Sequence, residues 1–574
     1  VSGVKRRGAR SGALAALIVV WLAAGLPTAP AAAAPASAEV VRLPFPQYDG
    51  TLTPYTFELG YPLVMLVYDT LLWRDASGAP QPWLARSVTR SDDGRRLTVR
   101  LRDDVRWHDG RPLTAEDVAF TFEYIAENFQ PRFTPQLAGV EAVRATDRLT
   151  ATIDLRRPSL GFEDQPLADM PILPRHLWDE LPEGSSAPRG LPVGSGPYRL
   201  VSAERDAGYV LRANPDYYKG RPRVGEIRVP IITDAQRTYD ALRERRVDMV
   251  PLSLPPEAGE DFKATLGIGV RRGPSYSGTT LLLNTRRPPF DRPEVRRAVA
   301  AALDLGLIAR NVAPSEAAAE GYIHPDSRWA AGVPLQRYDL RAARRTLASL
   351  DLAPIRILAS ESDAVRLQAA EQVVLALRRA GAEATLVELS SARLGEAIGE
   401  DGSTADFDAA IQSIPALASQ DPDFLATLFG SAARSAPLNF SGYSSETFDA
   451  LARDVASAPD TAARREATRE ELALLARDAP SIPLFFSEGA FAYRPAIYDG
   501  WSFIQGIGIL DKRSFLPGGG PERPAPPDVP TTGGEQADSG WGLSLVNAIS
   551  IVLLAAVAVL AAVALLQRRS GGGR

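Results

Sequence analysis

The sequence predicts an α/β body, carried outside the cell and held there by an apolar segment near its C-terminus. Three observations carry that expectation. Between Ile355 and Ile414 the pattern reads strand, helix, strand, short helix, strand, the order that lays parallel strands beneath covering helices. Both ends of the chain carry apolar runs, whereas the roughly 475 residues between them mix charge and hydrophobicity in the manner of a globular body. There is no cysteine among the 574 residues, so no disulfide or zinc–thiolate framework competes with a hydrophobic core as the source of stability.

From the N-terminus, Lys5, Arg6, Arg7 and Arg10 precede an apolar run from Ala13 to Leu26 and then Ala36-Ser37-Ala38. Basic, apolar and small-residue regions in that order predict a secretory signal peptide over residues 1–38, with an apolar core too short to span a bilayer comfortably. Leu97, Val99 and Leu101 alternate with Thr98, Arg100 and Arg102, the period of a half-buried strand. Asp109-Gly110 marks a turn. Thr114 is then placed to cap a helix whose first turn carries Glu116 and Asp117 and whose buried face is Val118, Phe122 and Ile125. Residues 149–155 alternate as a second strand.

In the 355–414 region the strands are IRILA, ATLVEL and FDAAIQSI, with a helix from Asp363 to Arg379 between the first two. Right-handed crossovers place the loops after such strands along one sheet edge, where function is to be sought. Further on, RREATREELALLARD (Arg464 to Asp478) alternates arginine with acid, the pattern of a solvated helix face. Residues 515–541 are Pro/Gly-rich and polar, a linker composition. Leu543 to Leu566 is a charge-free, predominantly apolar run, about 36 Å long as a helix, which predicts a transmembrane helix over 542–566 and a cytoplasmic basic tail over 567–574. Val529-Pro530-Thr531-Thr532-Gly533 ahead of that run resembles a cell-wall sorting signal, so wall attachment is the alternative tether.

The chemistry-bearing residues point away from catalysis. His108, His176 and His324 are the three histidines, and none has metal-ligand spacing. Gly194-Ser195-Gly196 lacks the nucleophile-elbow spacing and precedes a strand. No phosphate-binding loop is present, so any ATP hydrolysis belongs to a partner. Asp92-Asp93 and Asp103-Asp104 lie in turn contexts. Asn214-Pro215-Asp216 and Asp421-Pro422-Asp423 read as turn builders. A formal net charge of −5 leaves no nucleic-acid footprint. The expectation is a binding protein, not an enzyme, with no catalytic residue, metal or cofactor.

WHDGRPLTAEDVAFTF (Trp107 to Phe122) resembles the signature of the family 5 extracellular solute-binding proteins, the oligopeptide, dipeptide and nickel receptors that feed ABC importers. Collinear segments extend the resemblance over roughly residues 40 to 510. They are Leu71 to Asp75 with Pro82-Trp83-Leu84-Ala85, GSGPYRL from Gly194, NPDYYKGRPRVGEIRVPII from Asn214, LLLNTRRPPFDRPEVRRAVAAALD from Leu281, and DPDFLATLF from Asp421.

The resemblance implies a periplasmic-binding-protein-like, two-lobed, three-domain fold of the cluster C type. A discontinuous lobe would comprise 39–60, 172–273 and 482–514. A second domain would cover 61–171 and the opposing lobe 274–481, with hinges at the crossings near residues 273 and 481. It further implies a solute, most simply a peptide, held between the lobes by hinge closure and delivered to an ABC permease with its ATPase subunits. A ligand-sensing receptor without transport, or one for a non-peptide solute, is the alternative.

Peptide-binding relatives carry an acidic residue for the peptide α-ammonium in the loop after the strand ending at Ile414. Here that loop reads QSIPALASQ, with no acid, arginine or aromatic residue between Asp408 and Asp421. Either the solute is less charged, or Asp49 or Glu488 supplies the carboxylate, or binding has been lost. By position, Tyr48, Ser253, Tyr276, Gln412, Ile414 and Phe486 are expected to line the cleft.

Overall fold

A computed structural model describes residues 37–518, apart from 58–59, 182–186, 314–316, 351, 401–403, 415–420, 433–435 and 437. The signal peptide (all but its last two residues), nearly all of the linker, the apolar C-terminal run and the loop after Ile414 therefore lie outside the described residues. Among the described residues, no helix is long and apolar enough to cross a membrane.

Three larger sheets organise the body, with a two-stranded ladder of Leu72–Arg74 and Pro80–Pro82 beside them. In the first, strand Ala38–Arg42 pairs parallel with Val224–Val229, followed antiparallel by Gly208–Ala213 and Tyr198–Glu204. The second is antiparallel throughout, in the order Ala85–Arg90, Arg96–Leu101, Thr150–Leu155, Val140–Asp147. Its Arg96–Leu101 strand leads through the Asp109-Gly110 turn to the helix Ala115–Glu127, where the Asp117 carboxylate accepts the Thr114 N–H at 2.8 Å. Val118, Phe122 and Ile125 are buried on that helix as their spacing requires.

The third sheet has six strands, in the order Ala317–Ala318, Ser481–Tyr493, Gly269–Leu283, Ala409–Ile414, Ile355–Ser360, Ala384–Leu389. Its parallel part, with Ile355–Ser360 between Ala409–Ile414 and Ala384–Leu389, is the arrangement the strand–helix alternation predicts. Its antiparallel part is built from two long strands that the sequence pattern does not announce.

Buried side chains separate into distinct cores. One runs from Val41 to Val229 and is completed by Phe491, Tyr498, Trp501 and Phe515. Another runs from Leu281 to Phe485 around the six-stranded sheet, with a neighbour that includes Trp329, Phe424 and Leu475. A smaller cluster of Ala241, Leu242, Phe262, Ala490 and Ala492 belongs with the first body in sequence. Along Ser481–Tyr493, Phe485 packs in the core around the six-stranded sheet, and Ala490 and Ala492 pack in the smaller cluster.

Two sequence motifs hold each other. The His108 ring accepts the Gly194 N–H on Nδ1 at 3.2 Å, its Nε2 lies 3.0 Å from the Gly196 carbonyl, and the His108 N–H donates to the Gly194 carbonyl at 2.8 Å. This pins the WHDG turn to the Gly-Ser-Gly loop and fixes a neutral ring. Burial pushes the His108 pKa down to about 4. We expect the His108 resonances to titrate near pH 4 by NMR; a midpoint at or above 6 would show that the ring is not so held. A free histidine titrates near 6.5, so this contact stabilises the fold fully above that value and is lost as the pH falls towards 4.

The expectation of a solvated helix face holds for Arg465, Glu466, Arg469, Glu470 and Arg477, which are exposed on Thr461–Asp478; Arg464, Thr468 and Glu471 depart from it and are buried. They recur at i, i+4 and i+7, so they share a face with Leu475, and counting charges along the chain does not reveal that this face turns inward.

Candidate functional site

The strands Gly269–Leu283 and Ser481–Tyr493 pass side by side from one body to the other, and their pairing is interrupted midway. Gly273 opposes Gly489 and Gly278 opposes Phe486, with a register shift between Pro274 and Gly278. An irregularity of this kind bends a strand and redirects its side chains. Within it Tyr276 adopts φ +60°, a left-handed conformation that costs a non-glycine residue on the order of 1 kcal/mol or more. The Ser275 hydroxyl donates to the Ser487 carbonyl at 2.8 Å and lies 2.8 Å from the Ser277 hydroxyl, tying the bulge to the opposite strand.

The strained backbone delivers the Tyr276 ring into a fully buried position. Its hydroxyl donates to Gln505 Oε1 at 2.6 Å, and its ring lies 5.3 Å from the His324 ring. His324 in turn lies edge-on to Phe486 at 5.1 Å, and Phe486 packs with Ile414 and Ala319. Burial pushes the Tyr276 hydroxyl above its ordinary pKa and lowers that of His324, so both rings are neutral at physiological pH. On the neighbouring strand Gln412 faces Thr280 and Ile414 faces Gly278. Gln412, Ile414, Thr280 and Phe486 therefore share one face of the sheet. The Thr280 hydroxyl is buried and makes no hydrogen bond among the described residues.

Of the six residues expected at the cleft, the structure brings Tyr276, Gln412, Ile414 and Phe486 together at this crossing. Ser253 lies just beyond it, where its hydroxyl accepts the Ala490 N–H at 3.1 Å. Tyr48, in the loop after the first strand, lies against the first sheet: it stacks on Tyr209 at 5.1 Å and donates to the Ala203 carbonyl at 3.1 Å.

Neither carboxylate considered as a substitute acid is held in reserve. Asp49 accepts the Gly60 N–H at 2.6 Å and a hydrogen bond from the Gln47 amide. Glu488 is paired with Arg272 at 3.0 Å.

Sequence reasoning missed His324, Gln505 and the run from Tyr322 to Trp329. That run carries Tyr322, hydrogen-bonded to the Ser481 carbonyl, His324 against Tyr276, and Arg328 paired with Asp164 of the other body. A lone histidine and a loop aspartate carry no spacing from which this could be read. Both Asx-Pro-Asp motifs do build turns: the Asp216 N–H donates to Asn214 Oδ1 at 3.4 Å and the Asp423 N–H to Asp421 Oδ1 at 3.1 Å.

A family model described as bacterial extracellular solute-binding proteins, family 5 Middle, matches residues 79–436. A probable di/tripeptide-binding protein 5 of Pseudomonas aeruginosa is 28% identical over 307 residues, covering 49% of this chain and 57% of that protein. The nickel-binding periplasmic protein of Escherichia coli is 26% identical over 378 residues, covering 61% of this chain and 71% of that one. Protein XP55 of Streptomyces lividans is 29% identical over 239 residues, covering 42% and 43%. The matched part thus spans about half the length of the Pseudomonas and Streptomyces relatives, 57% and 43% respectively.

Among solved structures, the ABC transporter substrate-binding protein CtaP of Listeria monocytogenes superposes with a TM-score of 0.75 at 22% identity, covering 84% of this chain and 99% of that one. The oligopeptide-binding protein AppA of Bacillus subtilis, solved with a nonapeptide, gives 0.65 at 21%, covering 81% and 98%. These likenesses show a shared fold.

Proposed function

We propose a function from one premise: the chain belongs to the bacterial extracellular solute-binding proteins of family 5, and its α/β fold is periplasmic-binding-protein-like. On this reading it is the extracellular receptor of an ABC importer. It captures a solute, most simply a peptide, at the junction of its two bodies, closes by a hinge, and delivers the solute to a membrane permease driven by ATPase subunits. The three-domain division at 39–60, 61–171, 172–273, 274–481 and 482–514 is part of the proposal. So are the signal peptide and the tether formed by the apolar run from Leu543 to Leu566.

The observation that carries it is the pair of long strands crossing between separately cored bodies, interrupted at Pro274–Gly278 beside Tyr276, His324 and Phe486. A break in the ladder concentrates bending at one place, and hinges are a few residues that absorb the backbone change. Closure is then driven by the solute's greater affinity for the closed form. The peptide reading is supported by the named specificity of the Pseudomonas relative and by the nonapeptide in the Bacillus structure. The acid-free loop before Asp421 argues for a solute held by its backbone groups rather than by its α-ammonium.

Thermal unfolding of the purified chain with pools of di- to pentapeptides, oligosaccharides and nickel–histidine tests this. A peptide at 100 times its Kd stabilises the native state by about 2.7 kcal/mol, so a clear rise in Tm with a peptide pool is expected. A response confined to saccharides or to the nickel chelate would replace the peptide reading. No response to any class would overturn solute capture.

A further inference from the structure

A second polar cluster spans the two bodies, joined to the crossing strands through the run from Tyr322 to Trp329. The first body contributes the turn Gly161–Glu163, then Asp164, and Arg74 at the end of strand Leu72–Arg74. The second contributes Arg328, Trp329, Asp421, Asp423, Arg464 and Glu471. Arg464, fully buried, forks onto Asp421 with contacts of 2.6 and 2.8 Å and reaches Asp423 at 2.7 Å. Its guanidinium lies 4.7 Å from the Trp329 ring centroid, and that of Arg328 lies 4.9 Å from the same ring. Arg328 makes an ion pair with Asp164, while Arg465 donates to the Arg328 carbonyl at 3.3 Å. Arg74 donates to the carbonyls of Ala168 and Asp164 at 2.7 and 3.0 Å.

The bodies meet here without a gap. A methyl group added at Gly161 would sit 2.9 Å from Arg464 Nη2 and 3.2 Å from Asp421 Oδ1. Charge is not balanced across the contact: the carboxyls of Asp164, Asp421, Asp423 and Glu471 face the guanidinium groups of Arg74, Arg328 and Arg464. Glu163 and Arg90 pair with each other at 3.1 Å. Glu471 is 1% exposed, and among the described residues neither of its carboxyl oxygens has a hydrogen-bond partner; Asp164 Oδ1 is likewise buried without one.

We propose that this junction is a proton-linked latch: closure buries Asp164 against Arg328, seats Gly161 on the Asp421–Arg464 pair, and takes up a proton on the excess carboxyl, so acid favours the closed form. The inference rests on the hinge reading above. Burial is the main cause that pushes the Asp164 carboxyl up, to about 7, with Asp421 adding to it against Arg328, Arg74 and Arg464. Burial also raises Glu471, with Asp423 as the next cause. Asp164 is the group that closure covers from the opposite body, so opening returns it towards the ordinary carboxylate range. The closed form then binds more protons than the open one. Its advantage is full below that range and declines as the pH rises to about 7.

The absence of cysteine permits a direct test on the full chain. Glu123→Cys and Asp454→Cys, both exposed and one on each body, carry spin labels for distance measurement at pH 5 and pH 8, with and without tri-alanine. The expected result is a closed population that falls at least about fivefold between the two pH values without solute. Asp164→Asn, an isosteric neutral side chain, should remain closed at pH 8 and lose the pH response, and Glu471→Gln should weaken it. Distances that respond to tri-alanine but not to pH, or a full pH response retained in Asp164→Asn, would overturn the latch and leave the hinge standing. A single distance under every condition, including in Gly161→Leu where the junction is wedged, would overturn both.

Discussion

Replacing Lys512 with methionine will cost about 3–5 kcal/mol of stability, the range found when one partner of a buried ion pair is removed. Lys512 Nζ lies 2.6 Å from Asp69 Oδ1, and both side chains are wholly buried. The ammonium also donates to the Tyr68 carbonyl at 3.3 Å and sits 4.3 Å from the Trp73 ring. Asp69 receives the Trp83 indole N–H at 2.9 Å and the hydroxyls of Tyr217 and Tyr218, each at 3.1 Å. Removing the lysine leaves a carboxylate in a dry site with neutral donors alone. Urea unfolding of Lys512→Met against wild type measures the loss. The double variant Asp69→Asn with Lys512→Met should lose less, because no uncompensated charge remains. A single variant within about 1 kcal/mol of wild type would show that the site admits water.

Gly194→Ala is the second large effect. The Gly-Ser-Gly loop lies on the carbonyl end of helix Tyr61–Val67, where the Gly196 N–H donates to the Val67 carbonyl at 2.9 Å. A Cβ at Gly194 would come within 2.7 Å of the Val67 carbonyl carbon, and one at Gly196 within 2.6 Å of the Leu66 oxygen. Both obstacles are backbone, so relief requires the helix or the loop to move, and the loop is also the partner of His108. A loss of about 4 kcal/mol or more is expected, the range reserved for severe overpacking. Gly139→Ala, where nothing lies within 4 Å, is the control and should change stability by less than about 0.5 kcal/mol. Similar losses in the two variants would show that the close approach is not what demands glycine.

The parts of this architecture that were legible in the sequence are those that repeat a local period. The strand–helix alternation from Ile355 to Ile414 and the capped helix after Thr114 could be read because side-chain spacing and cap chemistry act within a few residues. The long strands Gly269–Leu283 and Ser481–Tyr493 could not. Ser481–Tyr493 is buried on both faces nearly throughout and Gly269–Leu283 from Gly278 onwards, which removes the alternation that marks a half-buried strand. The site follows the same division. Ile414 could be placed at the crossing because it ends a recognisable strand, whereas His324, Gln505 and Asp164 reach the junction by long-range placement.

Arg464 and Glu471 illustrate a different limit. Their composition is that of a wet helix, and their burial depends on a partner surface at Gly161 some 300 positions earlier in the chain.

The Lys512–Asp69 pair also bears on mechanics. The described chain leaves the body at Pro517, against Gly220, just after Phe515 packs among Tyr198, Tyr498 and Trp501. A load applied to the chain at that point would enter the packed corner of Phe515 and Tyr198, on the strand Tyr198–Glu204, and not the bulge at Tyr276. On the proposed tethered reading, a pull at this corner would load the first sheet and leave the angle at the crossing strands unchanged.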